Sequence, residues 1–92
     1  MTRRMYRYEV PVDDQPHLFE LTYGPLHVAP SGRTSGDTVV EFWAEYDDTK
    51  PTFSRAFQVF GTGHPLPDEA AWVGTCDRTG MGFVWHLYEV AP

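Results

Sequence analysis

Thr38-Val39-Val40-Glu41-Phe42-Trp43-Ala44-Glu45-Tyr46 (residues 38–46) alternates with a period of two, the spacing at which successive side chains leave a β-strand on opposite faces. Val39, Glu41, Trp43 and Glu45 point one way and Val40, Phe42, Ala44 and Tyr46 the other. The second set is apolar and is the expected core face. Asp47-Asp48-Thr49-Lys50-Pro51 then turns the chain, and Phe53 to Phe60 resumes the alternation. The short turn predicts that this second strand pairs with the first.

Working outward from this pair, the same period recurs. Upstream, Arg4 to Val10 sets Tyr6, Tyr8 and Val10 against Met5, Arg7 and Glu9, and Pro11, with no N–H to donate, ends it. Val12 to Pro16 reads as a turn and His17 to Leu21 as a strand. Thr22-Tyr23-Gly24-Pro25 supplies a tight connection before a short strand from Leu26 to Ala29, which implies a hairpin of these two strands. Pro30 to Gly36 is polar and glycine-bearing, the composition of a mobile surface loop. Downstream, after Gly61 to Asp68, come Ala71 to Cys76 and Met81 to Val90, joined by Asp77-Arg78-Thr79-Gly80 as a four-residue hairpin loop whose Gly sits where positive φ is easiest. The final strand has Phe83, Trp85 and Leu87 on one face and Val84, His86, Tyr88 and Val90 on the other. Such a strand is either central and covered on both sides, or one of its faces meets a partner or ligand. No helical period, repeat or linker is present. About seven short strands with turn signals between them predict an all-β single domain over residues 1–92, a small antiparallel sandwich or barrel-like fold.

Composition agrees with that reading. A chain of 92 residues buries a modest share of its unfolded surface, so its core must be dense, and an aromatic content of 15% supplies large side chains for it. The single cysteine, Cys76, rules out an intramolecular disulfide and a multi-cysteine zinc site. With no apolar window long enough to span a bilayer, the expected setting is cytoplasmic, with no membrane association. Residues 1–8 carry three arginines and no acid, whereas residues 9–48 carry nine acids against Arg33 alone. Only seven Lys and Arg occur in the chain, which makes a nucleic-acid partner unlikely. The acidic half suits either a basic partner or plain solubility.

The run Phe57-Gln58-Val59-Phe60-Gly61-Thr62-Gly63-His64-Pro65, then Trp72-Val73-Gly74-Thr75 and Gly82-Phe83-Val84-Trp85-His86-Leu87-Tyr88-Glu89, resembles an uncharacterised family of short proteins encoded by bacteriophages and prophages. Tyr6-Arg7-Tyr8-Glu9-Val10-Pro11, Leu26-His27-Val28-Ala29 and Trp43-Ala44 extend the similarity over nearly the whole chain. The Phe-Gly-Thr-Gly-His-Pro run is its most specific part, and the longer glycine-rich loop near residue 32 is a departure from it. The resemblance implies a phage-related origin and carries no activity with it.

Candidate site residues therefore rest on chemistry. In Gly61-Thr62-Gly63-His64-Pro65, two glycines permit positive φ and close approach of another backbone, and Pro65 holds His64 extended. The run is either a binding loop whose amides cradle an anion or a sharp strand exit with the imidazole capping backbone. It is not a P-loop, since no Lys follows. His86, between Trp85 and Leu87, is either a satisfied packing residue or a partner of His64. With Asp68 or Cys76 those two imidazoles would make an open metal site, but the spacing has no metal signature, so no metal and no cofactor are expected. Trp43, Trp72, Trp85 and Tyr88 are more polar-tipped aromatic surface than a small core absorbs, and are interface or ligand-stacking candidates.

Three functions follow, in this order. The first is a non-catalytic phage-type accessory protein that binds a host or phage protein, as an inhibitor or as a homo-oligomer. The second is a binder of a nucleotide or other anion at residues 61–65. The third is a histidine-dependent metal hydrolase.

Overall fold

The computed structural model describes residues 2–92, and their secondary structure consists of seven strands: β1 (Arg3–Pro11), β2 (His17–Leu21), β3 (His27–Pro30), β4 (Val39–Asp47), β5 (Phe53–Gly61), β6 (Ala71–Thr75) and β7 (Trp85–Val90). They form two antiparallel sheets, a three-stranded one in the order β1-β4-β3 and a four-stranded one in the order β2-β5-β7-β6. The sheets pack face to face as a sandwich and do not close into a barrel.

The alternation along β4 decides where the core lies. Val40, Phe42 and Ala44 are fully buried and join Val10, Val28, Leu21, Phe57, Val59, Cys76 and Leu87 between the sheets. Tyr8 stacks on Phe42 at 4.9 Å, and Phe19 stands edge-on to Phe42 at 5.3 Å. The outward face of β4 is not simply solvated. Glu41 is buried there because Arg7 Nη1 (2.7 Å) and Ser31 Oγ (3.2 Å) donate to its carboxylate and cover it, as a carboxylate out of water requires.

Three expectations need correction. Residues 53–60 do not pair with residues 38–46: β4 is flanked by β1 over nine positions and by β3 over four on its other side. Asp47 accepts the Thr49 amide (2.9 Å) and hydroxyl (2.7 Å), an Asx turn that lifts the chain into the opposite sheet. There β5 faces β4 across the core, with Phe57 5.2 Å from Phe42.

The last connection is longer than a four-residue hairpin. β7 starts at Trp85, residues 76–84 form the loop, and the positive φ (88°) falls at Gly82, not at Gly80. Thr79 and Phe83 exchange hydrogen bonds that fold this segment on itself before the ladder begins. β2 and β3 do not form the hairpin that their tight connection implies, since β2 pairs with β5 and β3 with β4 in the other sheet. In the loop after β3 and just beyond it, Ser31 is buried, Gly36 accepts the Trp85 indole N–H (3.1 Å), and the Asp37 carboxylate accepts Thr79 Oγ–H and the Met81 amide (3.1 Å).

β7 lies between β5 and β6, the central placement that its two apolar faces allow. Leu87 enters the main core. On the outer face Val90, Ala56 and Phe60 form a second, smaller cluster packed with Tyr88 and Ala70.

Candidate functional site

The turn leaving β5 and the loop entering β7 end side by side, because β5 and β7 are neighbours with Gly61 opposite Trp85. Between them lies a groove of about 430 Å³ lined by Gly61, Thr62, His64, Arg78, Gly82, Phe83, Val84 and Trp85. Four of the sequence-derived candidates meet here: Gly61, Thr62, His64 and Trp85.

On the turn side, the His64 amide donates to the Gly61 carbonyl (3.1 Å), and the Gly61 amide donates to His64 Nδ1 (3.3 Å). A backbone N–H can only donate, so Nδ1 is the acceptor and the neutral ring carries its proton on Nε2. A Cβ on Gly61 would sit 2.9 Å from His64 Cε1, so a larger residue there would displace the imidazole. Gly63 makes the turn with φ 88° but does not line the groove.

On the loop side, Phe83 and Trp85 lie 5.1 Å apart with their planes 31° from parallel. Both rings are held. The indole N–H is engaged by Gly36, and the Phe83 amide donates to Thr79 Oγ (3.0 Å), which itself donates to Asp37. Arg78 Nη1 donates to the Gly82 carbonyl (2.8 Å), a carbonyl that the positive φ of Gly82 turns toward it. No carboxylate among the described residues forms an ion pair with Arg78. By contrast Arg55 is bound at both Nε (2.8 Å) and Nη2 (2.7 Å) by Glu89, whose carboxyl is held below its ordinary range by those bonds.

His86 stands one hydrogen bond behind the groove. Its Nε2 meets Thr62 Oγ1 at 2.8 Å and its Nδ1 meets Thr75 Oγ1 at 3.0 Å, while Trp72 Nε1 donates to the same Thr75 oxygen at 3.0 Å. Both imidazole nitrogens are thus occupied by hydroxyls. Among the described residues no cluster of three or more His, Cys, Asp or Glu could hold a metal ion, so His64 and His86 do not converge with Asp68 or Cys76 as ligands. Cys76 is buried in the core, and burial pushes its thiol up to about 11, which keeps it protonated and unreactive at neutral pH.

The other candidates lie elsewhere. Trp72 is 62% exposed and lines a separate groove with Leu26, His27, Val28 and Val73, where β6 crosses the edge strand β3. Tyr88 packs edge-on against Phe60 at 5.6 Å on the outer face of its sheet. Trp43 is on the outer face of the other sheet, beside His27 at 5.5 Å.

Sequence reasoning missed Arg78, Gly82, Phe83 and Val84 as a wall, because residues 77–80 read as a plain hairpin and 81–84 as strand. One signal was present: Arg78 is the sole cation between Arg55 and the end of the chain. Nothing in the sequence points to Asp37 as the anchor of that wall, since 42 residues separate it from Thr79.

The chain belongs to the family described as a domain of unknown function (DUF7352), which matches residues 1–92. No curated protein and no solved structure matches the chain.

Proposed function

We propose that this protein is a non-catalytic binding module that holds a small anion-bearing ligand in the groove between Gly61–His64 and Arg78–Trp85. The observation that carries the reading is Arg78. A guanidinium offers five N–H donors in a planar fork suited to carboxylate or phosphate, and the structure engages this one through a single bond to Gly82. None of the eight lining residues is acidic, in a chain with thirteen Asp and Glu. That segregation favours an anion in this groove. His64 adds a ring N–H on Nε2, and Phe83 and Trp85 add an apolar wall.

Catalysis is not part of this reading. The one thiol is buried, and the imidazole that meets the Thr62 hydroxyl has Thr75, not a carboxylate, at its other nitrogen. The resemblance to short phage-encoded proteins favours an accessory role in a bacterial host's cytoplasm, with the ligand drawn from that cell.

Titrating inorganic phosphate and phenyl phosphate into labelled protein tests the reading by amide chemical shifts. Perturbations centred on Thr62, His64, Arg78 and Phe83, abolished in Arg78→Gln, are expected. A flat titration with both anions overturns it.

A second reading, association through a protein surface, is favoured by Trp72 and Leu26, which are 62% and 64% exposed on the β3–β6 groove. Large apolar side chains exposed together are typical interface anchors. Self-association there predicts a dimer by light scattering that Trp72→Ser dissociates, and a strict monomer that also retains nothing from a bacterial lysate ends this second reading.

A further inference from the structure

We infer that the groove takes a mononucleotide, its phosphate on Arg78 and its base stacked on Phe83. This rests on the anion-binding reading above and narrows it to one ligand class. Three features of the groove together select that chemistry.

First, the wall is a prepared stacking surface. Phe83 leans on Trp85 on one side and remains 42% exposed. Its backbone is pinned by the Thr79–Asp37 pair, and the Trp85 indole is pinned by Gly36. An exposed aromatic face held rigid from behind loses little freedom when a flat ring lies on it.

Second, the cation is prepared too. The Gly82 carbonyl anchors one end of the Arg78 fork and leaves its other N–H groups for phosphate oxygens. Both groups sit on one short loop, so a ligand that uses both must carry a ring and an anion within a few bonds of each other.

Third, the opposite wall is polar and the space is generous. Thr62, whose hydroxyl also meets His86, and His64, whose ring N–H is on Nε2, line it with groups that bind a sugar hydroxyl or a base edge. About 430 Å³ lies within the range of small-molecule pockets and exceeds what a simple aromatic acid needs. A longer strand of nucleic acid is disfavoured. The groove holds a single arginine for phosphate contact, and a net charge of −6 repels the remaining phosphates.

The experiment compares, by calorimetry and tryptophan fluorescence on the full chain, the four ribonucleoside 5′-monophosphates with inorganic phosphate, ribose 5-phosphate, the free nucleosides and a 5′-phosphorylated oligonucleotide. At least one mononucleotide is expected to bind tenfold or more tighter than inorganic phosphate and ribose 5-phosphate, and to quench tryptophan emission. Phe83→Leu should bring its affinity down about tenfold, toward that of phosphate. Phe83→Tyr, which keeps the ring, should retain it and shows that the loop tolerates substitution.

Equal affinity for mononucleotide and phosphate overturns the inference while the anion-binding reading stands. An oligonucleotide that binds more tightly than every mononucleotide also overturns it. No binding by any of them overturns both.

Discussion

Gly74 offers a direct test of how the two sheets meet. It sits after an irregularity in the β6–β7 pairing, opposite Leu87, where β6 crosses β3. A Cβ built on it would lie 2.6 Å from Val28 Cγ2 and 2.9 Å from Val28 Cβ. Both contacts are closer than carbon atoms tolerate, and neither is to a flexible tip. Val28 is β-branched, so its χ1 is stiff, and its Cβ moves only with the backbone of β3.

For Gly74→Ala, overpacking of this kind costs about 1–3 kcal/mol. The backbone at Gly74 is not in the positive-φ region, so the substitution also recovers about 0.5 kcal/mol by restricting the unfolded chain. The net loss is about 0.5–2.5 kcal/mol, a fall in Tm of roughly 2–20 °C for a domain of this length. Urea unfolding followed by tryptophan fluorescence measures it, with the slope m unchanged.

Val28→Ala by itself should also destabilise, by about 2 kcal/mol, through loss of two buried methyl groups and the cavity they leave. Combined, the two changes should cost at least about 0.5 kcal/mol less than their sum, because the new methyl occupies part of the space vacated. A Gly74→Ala variant as stable as the parent, or strict additivity of the pair, would refute this account of the β3–β6 crossing.

Asp37→Ala removes the acceptor shared by Thr79 and Met81 and should cost about 1–2 kcal/mol, since water replaces part of the interaction at this half-buried site. The Trp85 indole N–H resonance should shift at the same time, and Asp37→Asn should restore most of both. Acid should weaken the fold partly through Glu89. Its folded pKa is depressed by Arg55, so its contribution is present above the ordinary carboxylate range of about 4 and is lost as pH falls through the lowered folded value. The gap in urea midpoint between the parent and Glu89→Gln should therefore be open at about pH 7 and narrow toward about pH 2. Cys76 should resist an aromatic disulfide reagent in the native state and react fully once unfolded; rapid native labelling would contradict its burial in the core.

Period-two alternation was legible wherever a strand buries one face, and together with the turn residues it located all seven strands, with β2 matched residue for residue. It also picked the core face of β4 correctly, because Val40, Phe42 and Ala44 have nothing polar to satisfy. Gly61, Thr62, His64 and Trp85 were identifiable as candidates because paired glycines and clustered aromatics are local features. Of the pairings, only that of the last two strands was legible. Residues 53–60 looked like a hairpin partner because the turn before them is short, yet both edges of β4 were taken by strands from elsewhere in the chain.

By itself, then, the sequence determined the all-β class, the number of strands and which side chains are apolar enough to fill a core, all of which follow from neighbours one or two residues apart. Only the tertiary structure decided that Arg78 lies beside His64 and lacks a carboxylate, and that Asp37 and Gly36 brace the wall carrying Phe83 and Trp85. Those relations join residues tens of positions apart, through hydrogen bonds that form only once the two sheets have closed on their core.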